Sequence, residues 1–133
     1  MNEISSKLKL ILWGKNLELP MDYDNLEFDK YELNNKNGHY ELLIYKNNKM
    51  IKEIKYWNNR NKFYEYNYKN EKYNGKIEGK CLFMWCNGKK MAEGKYKNGR
   101  KLGRWIYYKE DGELDFYEYY KNGKLKEYKD YEK

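Results

Sequence analysis

The sequence predicts an all-β fold, an antiparallel meander in which each strand forms a hairpin with the strand before it. Turn dipeptides of the Asn-Gly type recur at regular spacing, and the segments between them are rich in Tyr, Trp, Phe and Ile. Asn followed by Gly best tolerates the two positive φ angles of a two-residue hairpin turn. The single proline, Pro20, precedes the recurring turns, as expected for strands that need every backbone N–H.

The spacing of the turns defines a repeat. The glycines of successive turn dipeptides are separated by 13, 11, 13 and 11 residues, which gives a 24-residue repeat of two unequal halves. These glycines are Gly75, Gly88, Gly99, Gly112 and Gly123. Asn-Asn pairs extend the same spacing towards the N-terminus, with one three-residue irregularity between the last pair and Gly75. These pairs are Asn34-Asn35, Asn47-Asn48 and Asn58-Asn59.

The segments between the turns are typical of strands. The clearest are residues 102–108 and 114–120, in which aromatic residues are frequent. Eight or nine such segments fit between Asn34 and Lys133. Short turns at fixed spacing pair each strand with its predecessor, so that stacked units bury a core that no single unit can bury alone.

The N-terminal part differs from the rest of the chain. Residues 1–33 carry a net charge of −3 and are predicted to form an acidic, non-repeat cap. Residues 34–133 carry a net charge of +10 and are predicted to form the repeat array. The cap and the array together are predicted to make one structural domain. Leu8, Leu10 and Leu12 alternate with other residues, which predicts a half-buried strand and leaves a short helix as the alternative. The polar start argues against a secretion signal, so the cytoplasm is the expected compartment.

The composition argues against several classes of protein. No run of 18 apolar residues is present, so no membrane-spanning helix is expected. One His and two Cys leave little for a zinc site, and there is no phosphate-binding loop or nucleophile–base pair. We therefore predict a protein that is not an enzyme and that uses no metal, cofactor or small-molecule substrate. Cys81 and Cys86, five residues apart in one predicted strand, would face opposite sides as free thiols.

The net charge of +7 has two interpretations that the sequence leaves open. A basic surface suits a negatively charged partner. Alternatively, Lys, Asn, Tyr, Ile and Phe are the residues encoded by A/T-only codons, so an AT-rich genome would give the same composition.

One repeat unit resembles a known family. The pattern Asn98-Gly99-x-x-x-Gly103-x-Trp105-x-x-Tyr108, followed by Asp111-Gly112, resembles the variant MORN repeat of bacteria, and Asn74-Gly75-x-x-x-Gly79 followed by Asn87-Gly88 is similar. The match is good over residues 74–123 and loose over 34–59. The sequence departs from the pattern at Cys81, where Trp is expected, and at Phe63, where Gly is expected. The resemblance implies a β-hairpin repeat and a protein-interaction scaffold, and many such proteins are labelled antitoxins.

Aromatic residues on both faces of adjacent strands suggest a binding surface. A single sheet cannot bury both sets, and Tyr, Trp and Arg are the residues that most often anchor interfaces. The candidate binding residues are Trp57, Trp85, Arg100, Arg104, Tyr107, Tyr117 and Tyr119. The alternative is that the aromatic residues only stabilise the sheet by cross-strand pairing, and that the arginines are solvated edge charges.

These features together predict a non-catalytic protein that binds another protein and inhibits or modulates it. An antitoxin-like protein and a phage-encoded inhibitor of a host defence nuclease are the two versions considered, each acting by steric occlusion through a Tyr- and Lys-rich sheet. The partner would then be a toxin or a nucleic-acid-processing effector. Direct nucleic-acid binding is the main alternative. A membrane-surface scaffold is a further one, although a membrane partner is not expected.

Overall fold

A computed structural model describes residues 3–68 and 76–131 of the chain. The described residues form a helix, α1, a short 3-10 helix at Tyr23–Asn25, and then nine strands. The bounds are α1 Glu3–Gly14, β1 Lys30–Lys36, β2 His39–Lys46, β3 Lys49–Tyr56, β4 Lys62–Asn67, β5 Gly79–Met84, β6 Lys90–Lys97, β7 Arg100–Tyr108, β8 Leu114–Lys121 and β9 Lys124–Asp130. The predicted turn at Asn74-Gly75 lies outside the described residues.

The nine strands form one sheet in the order in which they follow along the chain, and every neighbouring pair is antiparallel. The predicted all-β meander is therefore confirmed. In the part of the chain that is described, no helix has both the length and the apolar character needed to cross a bilayer.

Two kinds of turn alternate along much of the sheet. Asn47-Asn48, Asn98-Gly99 and Asn122-Gly123 are two-residue turns in which both residues have positive φ, as predicted for this turn type. The second kind spans five residues, 57–61, 85–89 and 109–113, and its first N–H donates to the carbonyl of its fifth residue over 2.7, 2.8 and 2.9 Å. Each five-residue turn also shifts the strand register by one residue. The alternation of short and long turns accounts for the unequal halves of the repeat.

Three turn predictions are corrected by this geometry. Asn58-Asn59, Asn87-Gly88 and Asp111-Gly112 lie inside the five-residue turns and are not two-residue turns, because only the fourth residue of each five has positive φ.

Asn34-Asn35 is not a turn either, since both residues pair with β2 inside β1. The turn is Asn37-Gly38, whose glycine accepts positive φ more readily than a second Asn does. The first strand accordingly begins at Lys30, before the position at which the array was expected to begin.

The prediction of a strand around Leu8–Leu12 is wrong, and the alternative of a short helix is confirmed. Leu8 and Leu12 are fully buried one helical turn apart, while Leu10 is 66% exposed on the outer side of α1. Residues four apart lie on the same side of a helix, so the alternation of leucines has no structural role here.

The main core lies between the sheet and residues 3–29, which we call the cap. Apolar side chains of the cap pack on those of β2 and β3. The buried cluster comprises Leu8, Leu12, Leu17, Tyr23, Phe28, Tyr40, Leu42, Ile44, Ile54 and Tyr56. We call the side of the sheet that faces the cap the cap side, and the opposite side the open side.

The two cysteines are free thiols, as predicted. Cys81 is buried in β5, where burial raises the pKa of its thiol to about 12. Cys86 is exposed in the turn after β5, because that strand ends at Met84, so the prediction that both cysteines lie in one strand is wrong.

Candidate functional site

A buried group of charges anchors the cap to the sheet. The carboxylate of Glu65, on β4, is fully buried and accepts hydrogen bonds from the ammonium groups of Lys52 and Lys62 and from the backbone N–H of Met21. Lys62 also donates to the carbonyl of Leu19 over 2.9 Å. Since each buried charge has close partners of opposite sign or a backbone acceptor, the chain segment around Met21 is held at the middle of the sheet.

The cap covers only part of the cap side. Residues paired across neighbouring antiparallel strands share a face, so a continuous row can be followed from β2 to β8. The row is Leu42, Ile54, Glu65, Leu82, Glu93, Ile106 and Tyr117. Leu42 and Ile54 belong to the core under the cap, whereas the row continues beyond Met21 onto strands over which residues 3–68 and 76–131 place no second layer.

We call the cap-side face of β5–β9 the docking face. Its apolar members include Leu82 and Ile106, which are half-buried, and Leu102, which is 42% exposed. Between Met21 and the strands β5–β7 this face forms a groove of about 760 Å³. The groove has an apolar floor and lysine and arginine side chains around it. A concave surface with an apolar floor and polar margins is the usual form of a binding site.

Three of the predicted binding residues lie together on the docking face. The Arg104 guanidinium is 4.7 Å from the centre of the Tyr117 ring, and Tyr119, paired with Arg104 across the strands, is 40% exposed. The hydroxyl of Tyr117 donates to Glu127 over 2.8 Å, and this hydrogen bond, with burial, raises the pKa of the phenol. Tyr119 therefore offers an accessible ring next to a fixed cation.

Tyr107 lies on the open side, away from the docking face. Its ring stacks on Phe116 with the ring centres 4.3 Å apart, and its hydroxyl donates to Glu118 over 2.7 Å and accepts from Lys101 over 3.0 Å. Burial, reinforced by the bond to Glu118, raises the pKa of this phenol. Its partners lie within the sheet, which matches the alternative that cross-strand pairing stabilises the array.

The open side carries an aromatic layer centred on Trp105. Although no second layer covers this side in the part of the chain that the structure describes, Trp105 is only 1% exposed. Its indole N–H donates to the Lys95 carbonyl over 3.0 Å, and its ring meets Tyr96 edge-on at 5.0 Å. The indole lies directly over Gly94 of the neighbouring strand. The aromatic side chains of β4–β8 thus shield one another from water.

Trp57 and Trp85 connect successive five-residue turns. The indole N–H of Trp57 donates to the Met84 carbonyl over 3.1 Å, and that of Trp85 donates to the Tyr108 carbonyl over 3.3 Å. Asparagine side-chain amides of the same turns also donate hydrogen bonds to backbone carbonyl groups of the next turn. The amides of Asn59 and Asn61 donate to the Cys86 carbonyl, and that of Asn87 donates to the Glu110 carbonyl. Both tryptophans therefore stabilise the end of the repeat array that carries the five-residue turns, by joining hairpins that follow one another along the chain.

Arg100 lies apart from the other candidates, at the opposite end of the array, where its side chain packs against Gly123. The seven predicted residues are thus divided among the docking face, the open side and the two ends of the sheet.

The groove itself was not predicted from the sequence. Its floor residues Leu82, Leu102 and Ile106 come from two non-adjacent strands, β5 and β7. The period-2 alternation along each strand was a usable signal, but the register between the strands was needed to bring the residues together.

The protein is thus a single-sheet β meander with a helical cap on half of one face. Its sequence matches no family model and no curated protein. Among solved structures, it is similar to accessory secretory protein 1, 2 and 3 of Streptococcus pneumoniae, with 18% identity and a TM-score of 0.45 over 80% of this chain and 20% of that one. It is also similar to the glycosylation associate protein (Gap123) complex of Streptococcus agalactiae, with 18% identity and a TM-score of 0.44 over 81% of this chain and 20% of that one.

The chain therefore spans about one fifth of the length of those two chains. The resemblance of residues 74–123 to the variant MORN repeat stays a prediction.

Proposed function

We propose that this chain is a non-catalytic protein that binds another protein through the docking face and modulates that partner. The observation that carries the proposal is that one continuous cap-side face is covered by the cap over its first strands, whereas over β5–β9 none of the described residues forms a second layer. In the covered half, the cap-side residues of β2 and β3 pack against apolar side chains of the cap and form the main core. A partner protein on the uncovered half would bury Leu102 and Tyr119 in the same way.

The composition of the docking face favours a protein partner. Tyr119 and Arg104 are clustered there beside the exposed side chain of Leu102, and tyrosine and arginine are among the residue types that supply most of the binding energy at protein interfaces. The strands present them in a fixed geometry, so little conformational freedom is lost on binding.

The proposed mode of action is steric occlusion. A rigid sheet that docks by one face blocks whatever its partner would otherwise bind at the same place. An antitoxin, or an inhibitor of a nucleic-acid-processing effector, would act in this way, and both remain within the proposal.

The experiment is a comparison of two leucine variants of the tagged chain in affinity purification from its source cells. Leu102→Glu alters the docking face, and Leu125→Glu alters β9 on the open side; the two leucines are 42% and 51% exposed. We expect one partner protein to be recovered with the wild type and with Leu125→Glu, and lost with Leu102→Glu. Recovery of the same protein with both variants, or with neither, contradicts the proposal.

A second candidate function is binding of single-stranded nucleic acid on the same face. Tyr119 next to Arg104 supplies a stacking ring beside a cation, which is the combination used by such sites. This function predicts that affinity for an oligonucleotide falls steeply as salt rises. The absence of an electrophoretic mobility shift at low salt eliminates it.

A further inference from the structure

From the groove we infer the chemical class of the partner: an acidic, amphipathic segment of a protein, seated between Met21 and the strands β5–β7. This inference rests on the proposed function, and it adds which part of the partner is recognised and by what chemistry.

The charges around the groove are strongly one-sided. Four cations line it, and they are Lys80, Lys90, Lys95 and Arg104. The one acid in the lining is Glu93, which is already paired with Lys90 over 2.8 Å and accepts a hydrogen bond from Tyr108 over 3.0 Å. Among the residues that the structure describes, the other three cations pair with no carboxylate. A ligand with several carboxylates would therefore supply the negative charge that no described carboxylate provides to these three cations.

The floor of the groove adds an apolar requirement. Leu82, Leu102, Ile106 and Met21 form it, and Leu102 is 42% exposed. A purely charged ligand would leave these side chains in contact with water. A segment that carries apolar residues between its acidic ones buries the floor and meets the cations at the same time.

The same charges disfavour a second copy of this chain as the occupant. A symmetric contact places the same patch on both subunits, so two docking faces would bring both sets of cations together. Like charges across an interface are repulsive. The partner is therefore a different protein.

The probe is a random dodecapeptide library displayed on phage, selected on the immobilised full chain. Lys95→Glu/Arg104→Glu reverses two groove charges. Lys7→Glu/Lys9→Glu makes the same change in net charge on α1 and is the matched control, since neither lysine lines the groove or lies on the docking face. Leu102→Glu tests the apolar floor independently, and circular dichroism verifies that each variant is folded.

We expect the wild type to enrich peptides that combine several Asp or Glu with apolar residues. Synthetic copies of these peptides should bind the groove variant about tenfold more weakly and the control variant unchanged. They should also lose affinity for Leu102→Glu.

Three results overturn the inference: enrichment of neutral or basic peptides or of none, equal loss of binding in both double variants, and tighter binding of a dodecathymidylate than of any recovered peptide. The first leaves the proposed function intact if Leu102→Glu still loses its cellular partner. The second indicates attraction by net charge alone, and the third indicates nucleic acid.

Discussion

The contact between Gly94 and Trp105 yields the sharpest prediction about the fold. A Cβ atom added at Gly94 would lie 2.2, 2.3 and 2.7 Å from Cδ2, Cε2 and Cγ of the Trp105 indole. Carbon atoms in favourable contact are about 3.5–4.0 Å apart, so the ring would have to move by more than about 1 Å. It is held by its hydrogen bond to Lys95 and by the aromatic rings around it.

The expected cost of Gly94→Ala is large for the addition of one methyl group. Overpacking of a well-filled core costs about 1–3 kcal/mol, and the rigid, nearly fully buried indole puts this site at the upper end, about 3 kcal/mol. Replacing the ring with a smaller side chain in Gly94→Ala/Trp105→Leu removes the clash. We therefore expect the two substitutions to be coupled by more than about 1 kcal/mol in a double-mutant cycle.

Urea denaturation of three glycine variants separates steric clash from backbone strain. At Gly103, φ is +70° and no atom lies within 4 Å of an added Cβ, so Gly103→Ala should cost about 1–2 kcal/mol through backbone strain alone. Gly14 has neither constraint, and Gly14→Ala should change the free energy of unfolding by less than about 1 kcal/mol. If Gly94→Ala costs no more than Gly14→Ala, the packing described for Trp105 is incorrect.

Three further predictions concern the cap, a turn and the tyrosines. Glu65→Ala leaves two buried ammonium groups without their carboxylate, so urea denaturation should show a loss of about 3–5 kcal/mol in the free energy of unfolding. The control, Glu113→Ala at an exposed position, should cost less than about 1 kcal/mol, and equal losses would refute the anchoring role. Arg60→Gly should change the free energy of unfolding by less than about 1 kcal/mol, because relief of the positive φ at this position offsets the lost stacking of the guanidinium on Tyr40. A loss above about 2 kcal/mol would contradict this prediction. Burial raises the pKa of Tyr66 and of Tyr108 to about 12. Their contribution to the free energy of unfolding is therefore full below pH 10 and is lost as the pH rises towards 12. Urea denaturation midpoints that stay constant over this pH range would contradict this prediction.

The sequence was sufficient for the overall fold because the turns are encoded locally. Asn98-Gly99 and Asn122-Gly123 specify their own conformation through the positive φ that both residues accept. Once such turns recur at fixed spacing, the order of the strands follows.

The five-residue turns show where local patterns were insufficient. Asn87-Gly88 has the composition of a two-residue turn, yet the bonds of Trp85 and Asn87 to the next turn hold it in the longer form. Those bonds join residues more than 20 positions apart, so no short window of sequence contains them.

The candidate site was predicted only in part for a related reason. Arg104, Tyr117 and Tyr119 were found because they are aromatic or basic residues on adjacent strands. Leu82 on β5 and Lys95 on β6 have ordinary side chains, and only the register of β5, β6 and β7 and the point at which the cap ends place them in the groove. The cap itself is set by Leu8 and Leu12, whose spacing fits a helix and whose alternation also fits a strand.

The most direct test of the docking face is site-specific photo-crosslinking in the source cells. Benzoylphenylalanine replaces either Tyr119, which is 40% exposed on the docking face, or Tyr128, which is 55% exposed on the open side. We expect position 119 to form a covalent adduct with one protein and position 128 to form none. An adduct from position 128 alone, or none from position 119, would contradict it.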